Sequence, residues 1–128
     1  MEGSVTTVQG QAMGRLKVNV DDSHDEVVCI ELDGSLDAHT FEKFEDSLEV
    51  LFQRCKYRIM VDLHKLRSIS SAGAGVFIGS LGTCQENQGN IALVRPTPEV
   101  KEILDLLGVF HIFPTTESTE EALSILAS

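Results

Sequence analysis

The sequence predicts a single α/β domain, a small mixed sheet of four to five strands covered by about four helices. Three observations predict it. Apolar residues switch repeatedly between the two-residue period of strands and the period of about 3.6 residues that marks amphipathic helices. The first two strand patterns adjoin through a polar turn, which predicts an antiparallel hairpin. Each later strand is separated from the next by a helix, which calls for parallel pairing and right-handed crossovers. A length of 128 residues with 42% hydrophobic and 23% charged side chains suits one ordinary globular core.

Residues 1–14, rich in Gly, Ser, Thr and Gln, have no apolar period and read as a flexible tail, part of which could pair as an edge. The domain proper is expected over residues 15–128. Leu16, Val18 and Val20 alternate with Lys17 and Asn19, the pattern of a half-buried strand. Residues 21–25 form a polar turn, and residues 27–32 a second strand that Asp33-Gly34 ends. Phe41, Phe44, Leu48 and Leu51 then mark one face of a helix, with Asp37 or Thr40 as its cap. Glu42, Glu45, Asp46 and Glu49 lie mostly off that face. Residues 57–63, nearly all apolar, suit a strand covered on both faces, with residues 63–71 read as a loop.

A helix follows Ser70-Ser71, with Val76, Phe77, Ser80, Leu81 and Cys84 inward. Gly75 and Gly79 stack on one side of it, and because glycine is costly inside a helix they suggest a neighbour too close for a Cβ. Residues 91–94 form a short apolar strand. Thr97-Pro98-Glu99 is a helix start, with a cap, a proline in the first turn and an acid near the dipole. Gly108 is the expected residue just past that helix's end. Residues 112–114 read as a brief extended piece, and Ser118 with Glu121 as a capping box for a last helix.

Composition narrows the function. Ten basic and 20 acidic residues leave a formal charge of −10, which repels DNA, RNA and anionic lipid and could steer a basic partner inward. No basic region followed by an apolar run opens the chain, and no stretch reaches membrane-spanning length, so neither secretion nor membrane insertion is expected. Cys29, Cys55 and Cys84, odd in number and without metal-like spacing, read as reduced, mostly buried thiols of a cytoplasmic protein.

Catalytic motifs are incomplete. A nucleophile elbow around Ser71 has Gly73 after it but Ile69 where a glycine belongs, and His24, His39, His64 and His111 are scattered. Gly73-Ala74-Gly75 resembles the start of a dinucleotide fingerprint, but the third glycine falls at Gly79 rather than at Ile78. Neither zinc-type spacing nor a calcium loop is present, and no cofactor or metal is called for. The Ser70-Ser71 turn remains. Ser70 suits an N-cap and Ser71 the first helical position. The plain reading is a helix start. The functional one is a helix N-terminus whose free amides and partial positive charge accommodate a phosphate on Ser71.

The run from Val61 to Val76, with Ser70-Ser71-Ala72-Gly73 at its centre, resembles the core motif of the STAS family of bacterial anti-sigma factor antagonists. Gly34-Ser35-Leu36-Asp37, Arg95 to Val100, and Leu107 to Phe113 are similar to further family segments in the family's order, so the resemblance spans residues 16–126. It implies a non-enzymatic switch. Ser71 aligns with the phosphorylated serine, Ser70 stands in place of an Asp, and Ala72 replaces a second Ser. Asp37, Ser70, Ser71, Ala72 and Gly73 would meet the partner, an anti-sigma factor that is also a serine kinase using ATP and magnesium. A phosphatase would reset the switch. The same resemblance allows a docking subunit of another signalling or lipid-transport assembly without a phosphorylation cycle.

Overall fold

The computed structural model describes residues 5–6, 15–23 and 26–127. Six strands lie in sequence order across one sheet: β1 (Val5–Thr6), β2 (Leu16–Asp21), β3 (Val28–Leu36), β4 (Arg58–Ile69), β5 (Asn90–Val94) and β6 (Thr115–Thr116). The four longer strands are those anticipated. The hairpin β2–β3 is antiparallel and β3 through β6 are parallel. The backbone of Val5–Thr6 pairs with β2, so a short piece of the expected tail does form an edge. The rest of that tail lies outside the described residues, as do His24 and Asp25 of the polar turn.

Helices α1 (Phe41–Gln53), α2 (Ser71–Glu86) and α3 (Pro98–Leu106) cover one face of the sheet. Their apolar stripes meet the inward residues of every long strand around Phe44 and Phe77, whose rings lie 4.9 Å apart. Helix α4 (Thr119–Ala127) covers the other face alone, seating Ala122 and Leu126 on Met60, Ala92 and Val94 of β4 and β5. Among the described residues, α4 packs chiefly on β4 and β5 rather than on β2 and β3.

Two strands run further than their residues suggest. β3 does not end at Asp33-Gly34 but continues to Leu36. Gly34 sits inside it at φ +124°, and a Cβ there would strike the Arg15 carbonyl, so only glycine fits. β4 does not end at Leu63 but continues to Ile69. The pairing of β3 with β4 slips once between Glu31 and Asp33 and again between Gly34 and Ser35. Each slip adds a residue to β4. Its buried residues Leu63, Leu66 and Ile69 consequently recur every third position, not every second.

The helix starts follow the expected chemistry. Thr97 caps α3, accepting from the Val100 amide at 3.3 Å, and Ser118 caps α4, accepting from Glu121 at 3.1 Å. Gly108, at φ +75°, ends the α3 unit. The extended piece after it is displaced: residues 109–111 form a 3-10 turn, and pairing with β5 begins only at Thr115. The thiols are also more varied than expected, with Cys84 buried, Cys29 partly so and Cys55 exposed.

Candidate functional site

Parallel pairing brings two loops together. β3 ends at Leu36 beside Ile69, the end of β4, and the Ser70 amide donates to the Leu36 carbonyl at 3.0 Å. Residues 37–40 and 70–73 thus leave the sheet side by side at the carboxyl ends of its strands, where open α/β sheets present their ligand sites.

Ser70 has extended backbone (φ −106°, ψ 174°), and its Oγ accepts from the Gly73 amide at 3.4 Å. It is the N-cap, and Ser71 is the first residue of α2, as the residues implied. Gly73 is the glycine that packing requires. A Cβ on it would lie 2.7 Å from both the carbonyl oxygen and Cγ of Leu36. That contact draws the start of α2 down onto the end of β3. Gly75 and Gly79, expected to be the close-packed pair, have nothing within 4 Å of a built Cβ, and neither has Gly82. They lie on the outward side of α2, so sheet packing does not account for them.

Ser71 and Ala72 are exposed, and the Ser71 hydroxyl has no hydrogen-bond partner among the described residues. The first turn of α2 carries no acidic side chain. Its leading amides lack intrahelical acceptors and the helix dipole adds a partial positive charge. An anion attached at Ser71 would meet favourable electrostatics there, and no contact of the fold uses the hydroxyl.

Across the Leu36–Ser70 link stands Asp37, half-buried in a tightly bonded loop. Its Oδ1 accepts from the His39 amide at 2.9 Å, and its carbonyl accepts from Thr40 and Phe41 at 3.1 and 2.9 Å. Thr40 occupies the N-cap of α1, but its side chain caps nothing. Instead its Oγ1 accepts from the Asp37 amide at 3.0 Å and donates to the Ser35 carbonyl at 2.8 Å. The loop thereby presents one oriented carboxylate beside one free hydroxyl.

A second polar group lies on the back of the sheet. Asp62, only 5% exposed, accepts from Arg95 Nη2 at 2.7 Å and bonds His64 Nδ1 at 2.8 Å. Burial alone would push the Asp62 carboxyl up, but bonds from Arg95 and His64 outweigh it and hold the group below the usual carboxylate range. Glu31, Asp62 and His64 present ligand atoms within 4.8 Å of one another. Both Asp62 oxygens are already engaged, one by Arg95 and the other by His64, so the arrangement is that of an ion-pair network. Spacing alone hid it, since Asp62 and Arg95 are 33 residues apart and meet only through the pairing of β4 with β5.

The fold agrees with a known family. A family model described as the STAS domain matches residues 19–122. The chain belongs to the STAS domain family. Among its curated STAS relatives is the anti-sigma F factor antagonist of Paenibacillus polymyxa, 30% identical over 105 residues that cover 80% of this chain and 89% of the relative. The crystal structure of an anti-sigma factor antagonist from Mycobacterium paratuberculosis has the same STAS fold, with a TM-score of 0.82 at 19% identity over 91% of this chain and 98% of that one. So has the phosphorylated form of the Bacillus cell fate determinant SpoIIAA, with a TM-score of 0.66 at 23% identity over 84% and 96%. Among the described residues, no helix of this STAS domain is long and apolar enough to cross a membrane.

Proposed function

We propose that this chain is an anti-sigma factor antagonist working by partner switching. In its unmodified form it binds an anti-sigma factor that is also a serine kinase, through the face formed by Asp37 and residues 70–73. Transfer of the γ-phosphoryl group of ATP to the Ser71 oxygen, leaving ADP and releasing the hydroxyl proton to solvent, releases the partner, and a phosphatase hydrolyses the phosphoester with water to restore the hydroxyl and free inorganic phosphate. Binding withdraws the anti-sigma factor from its sigma factor, so transcription changes without this chain touching DNA. The chain contributes no catalytic group.

The carrying observation is the exposed hydroxyl of Ser71, without a partner among the described residues, at the first position of a 16-residue helix. A phosphate adds roughly −1.5 to −2 charge to a surface spot without displacing a buried contact. The relative named as an anti-sigma F factor antagonist and the SpoIIAA structure described in a phosphorylated form support this reading. Ser70 performs the capping that an Asp would perform.

Phosphoprotein mass spectrometry on cells grown with and without stress tests the cycle. The expected result is a Ser71 phosphopeptide whose abundance differs between the two states. Its absence from both would remove the cycle and leave the second reading, a STAS docking subunit of another signalling or lipid-transport assembly. Ser70 in place of an acid is the feature that favours that second reading.

A further inference from the structure

Thr40 stands at the N-cap of α1 but does not serve that helix. An N-cap threonine ordinarily accepts from the second or third amide of its own helix. The side chain of Thr40 makes no such bond. It turns back toward the end of β3, and the residue is only 2% exposed. Its Oγ1 accepts from the Asp37 amide at 3.0 Å and donates its proton to the Ser35 carbonyl at 2.8 Å.

The first of these bonds reaches beyond the Asp37 loop. The Asp37 N–H and the Leu36 carbonyl belong to one planar peptide unit. Thr40 holds its N–H end, and its carbonyl end accepts from the Ser70 amide at 3.0 Å. Turning this peptide would break both bonds together. Gly73 packs against the same carbonyl, with no room for a Cβ. A single buried hydroxyl therefore fixes the peptide that joins the Asp37 loop to the start of α2.

We infer that Thr40 is a positioning residue for partner binding. Its hydroxyl locks the Leu36–Asp37 peptide, and through that peptide sets the Asp37 carboxylate and the Ser70-Ser71 turn in the mutual geometry that the anti-sigma factor meets. The inference rests on the function proposed above and adds to it a buried residue that acts through others. Binding surfaces held in their bound arrangement beforehand lose less ordering entropy on association, so loosening this peptide weakens binding even though no contact atom is removed.

Thr40→Ser keeps the hydroxyl, whereas Thr40→Cys puts sulfur, a weak donor and acceptor, in its place. Both lose the methyl group, so they share its packing cost and differ by one atom. Calorimetry with the purified anti-sigma factor should find Thr40→Ser within about twofold of the wild type and Thr40→Cys weaker by about fivefold or more. Thr40→Val, which has the shape of threonine without the hydroxyl, should lose affinity to the same degree. Amide hydrogen exchange followed by NMR, which needs no partner, reads the lock itself. Exchange at Ser70 should be about fivefold faster in Thr40→Cys than in Thr40→Ser, beyond any change at Ile30 deep in the sheet. Equal Ser70 exchange in the two variants would refute the lock. Faster exchange with undiminished affinity would refute the positioning role and leave partner switching standing. If the wild type binds no anti-sigma factor, partner switching falls and the positioning role falls with it.

Discussion

Gly73 and Gly79 lie on one helix, yet alanine at the two positions should have opposite effects. At Gly73 the new Cβ would lie 2.7 Å from the Leu36 carbonyl oxygen, at least about 0.7 Å inside ordinary contact. Leu36 is fully buried and its carbonyl holds the Ser70 amide, so neither can retreat without cost. Overpacking costs about 1–3 kcal/mol, and a mid-range cost of about 2 kcal/mol less a helix-propensity gain of up to ~1 kcal/mol leaves a net loss of about 1–2 kcal/mol. At Gly79 nothing lies within 4 Å, and the propensity gain of about 0.5–1 kcal/mol should appear undiminished. For a domain of this size each kcal/mol moves the melting temperature by roughly 3–5 °C. Urea unfolding followed by circular dichroism measures both, and unchanged slopes would assign the shifts in midpoint to stability. A neutral Gly73→Ala or a destabilised Gly79→Ala would refute the packing described for α2.

Asp62→Asn should lose about 1–2 kcal/mol at neutral pH, since it leaves Arg95 without its charged acceptor, discounted because Arg95 is partly exposed. The folded Asp62 carboxyl titrates below its unfolded value, so this stabilisation is complete above about pH 4 and disappears as pH falls through the lower folded value. Urea midpoints of wild type and variant should therefore converge in acid, and a gap that persists to low pH would contradict the pairing. Native thiols should react with a disulfide reagent in a fixed order. Cys55 is exposed and fastest, whereas burial pushes the thiols of Cys29 and Cys84 up to about 11 and about 12; rapid modification of Cys84 without unfolding would count against its position. Ser70→Ala removes the cap of α2 and should cost about 0.5–2 kcal/mol in the same unfolding assay, with no loss signalling that the long Oγ bond to Gly73 contributes nothing.

Much of the architecture was legible because it rests on local rules. Alternation marked β2, the 3.6-residue period marked α1, and caps at Ser70, Thr97 and Ser118 marked three helix starts. What escaped depends on partners distant in sequence. The second half of β4 resembled a loop because its two bulges space Leu63, Leu66 and Ile69 by three. Gly34 resembled a strand end although it is a positive-φ position within β3. The helix glycines implied a close neighbour, but only the path of β3 reveals that Gly73 has one and that Gly75 and Gly79 do not. At the site, Ser70 and Ser71 could be assigned from capping chemistry alone. Their link to Asp37 through the Leu36 carbonyl required the parallel register. The Asp62–Arg95–His64 group combines a mid-strand acid with a distant arginine, and no local spacing announces it.

The central claim concerns Ser71, and one paired measurement on Ser71→Asp tests it most directly: affinity for the anti-sigma factor, and melting temperature. Because the hydroxyl is unbonded and the helix start favours negative charge, the melting temperature should shift by no more than about 2 °C, while affinity should fall by about tenfold or more. Full affinity in the variant would contradict a switch at this serine. A large loss of stability would instead make Ser71 a structural helix-start residue.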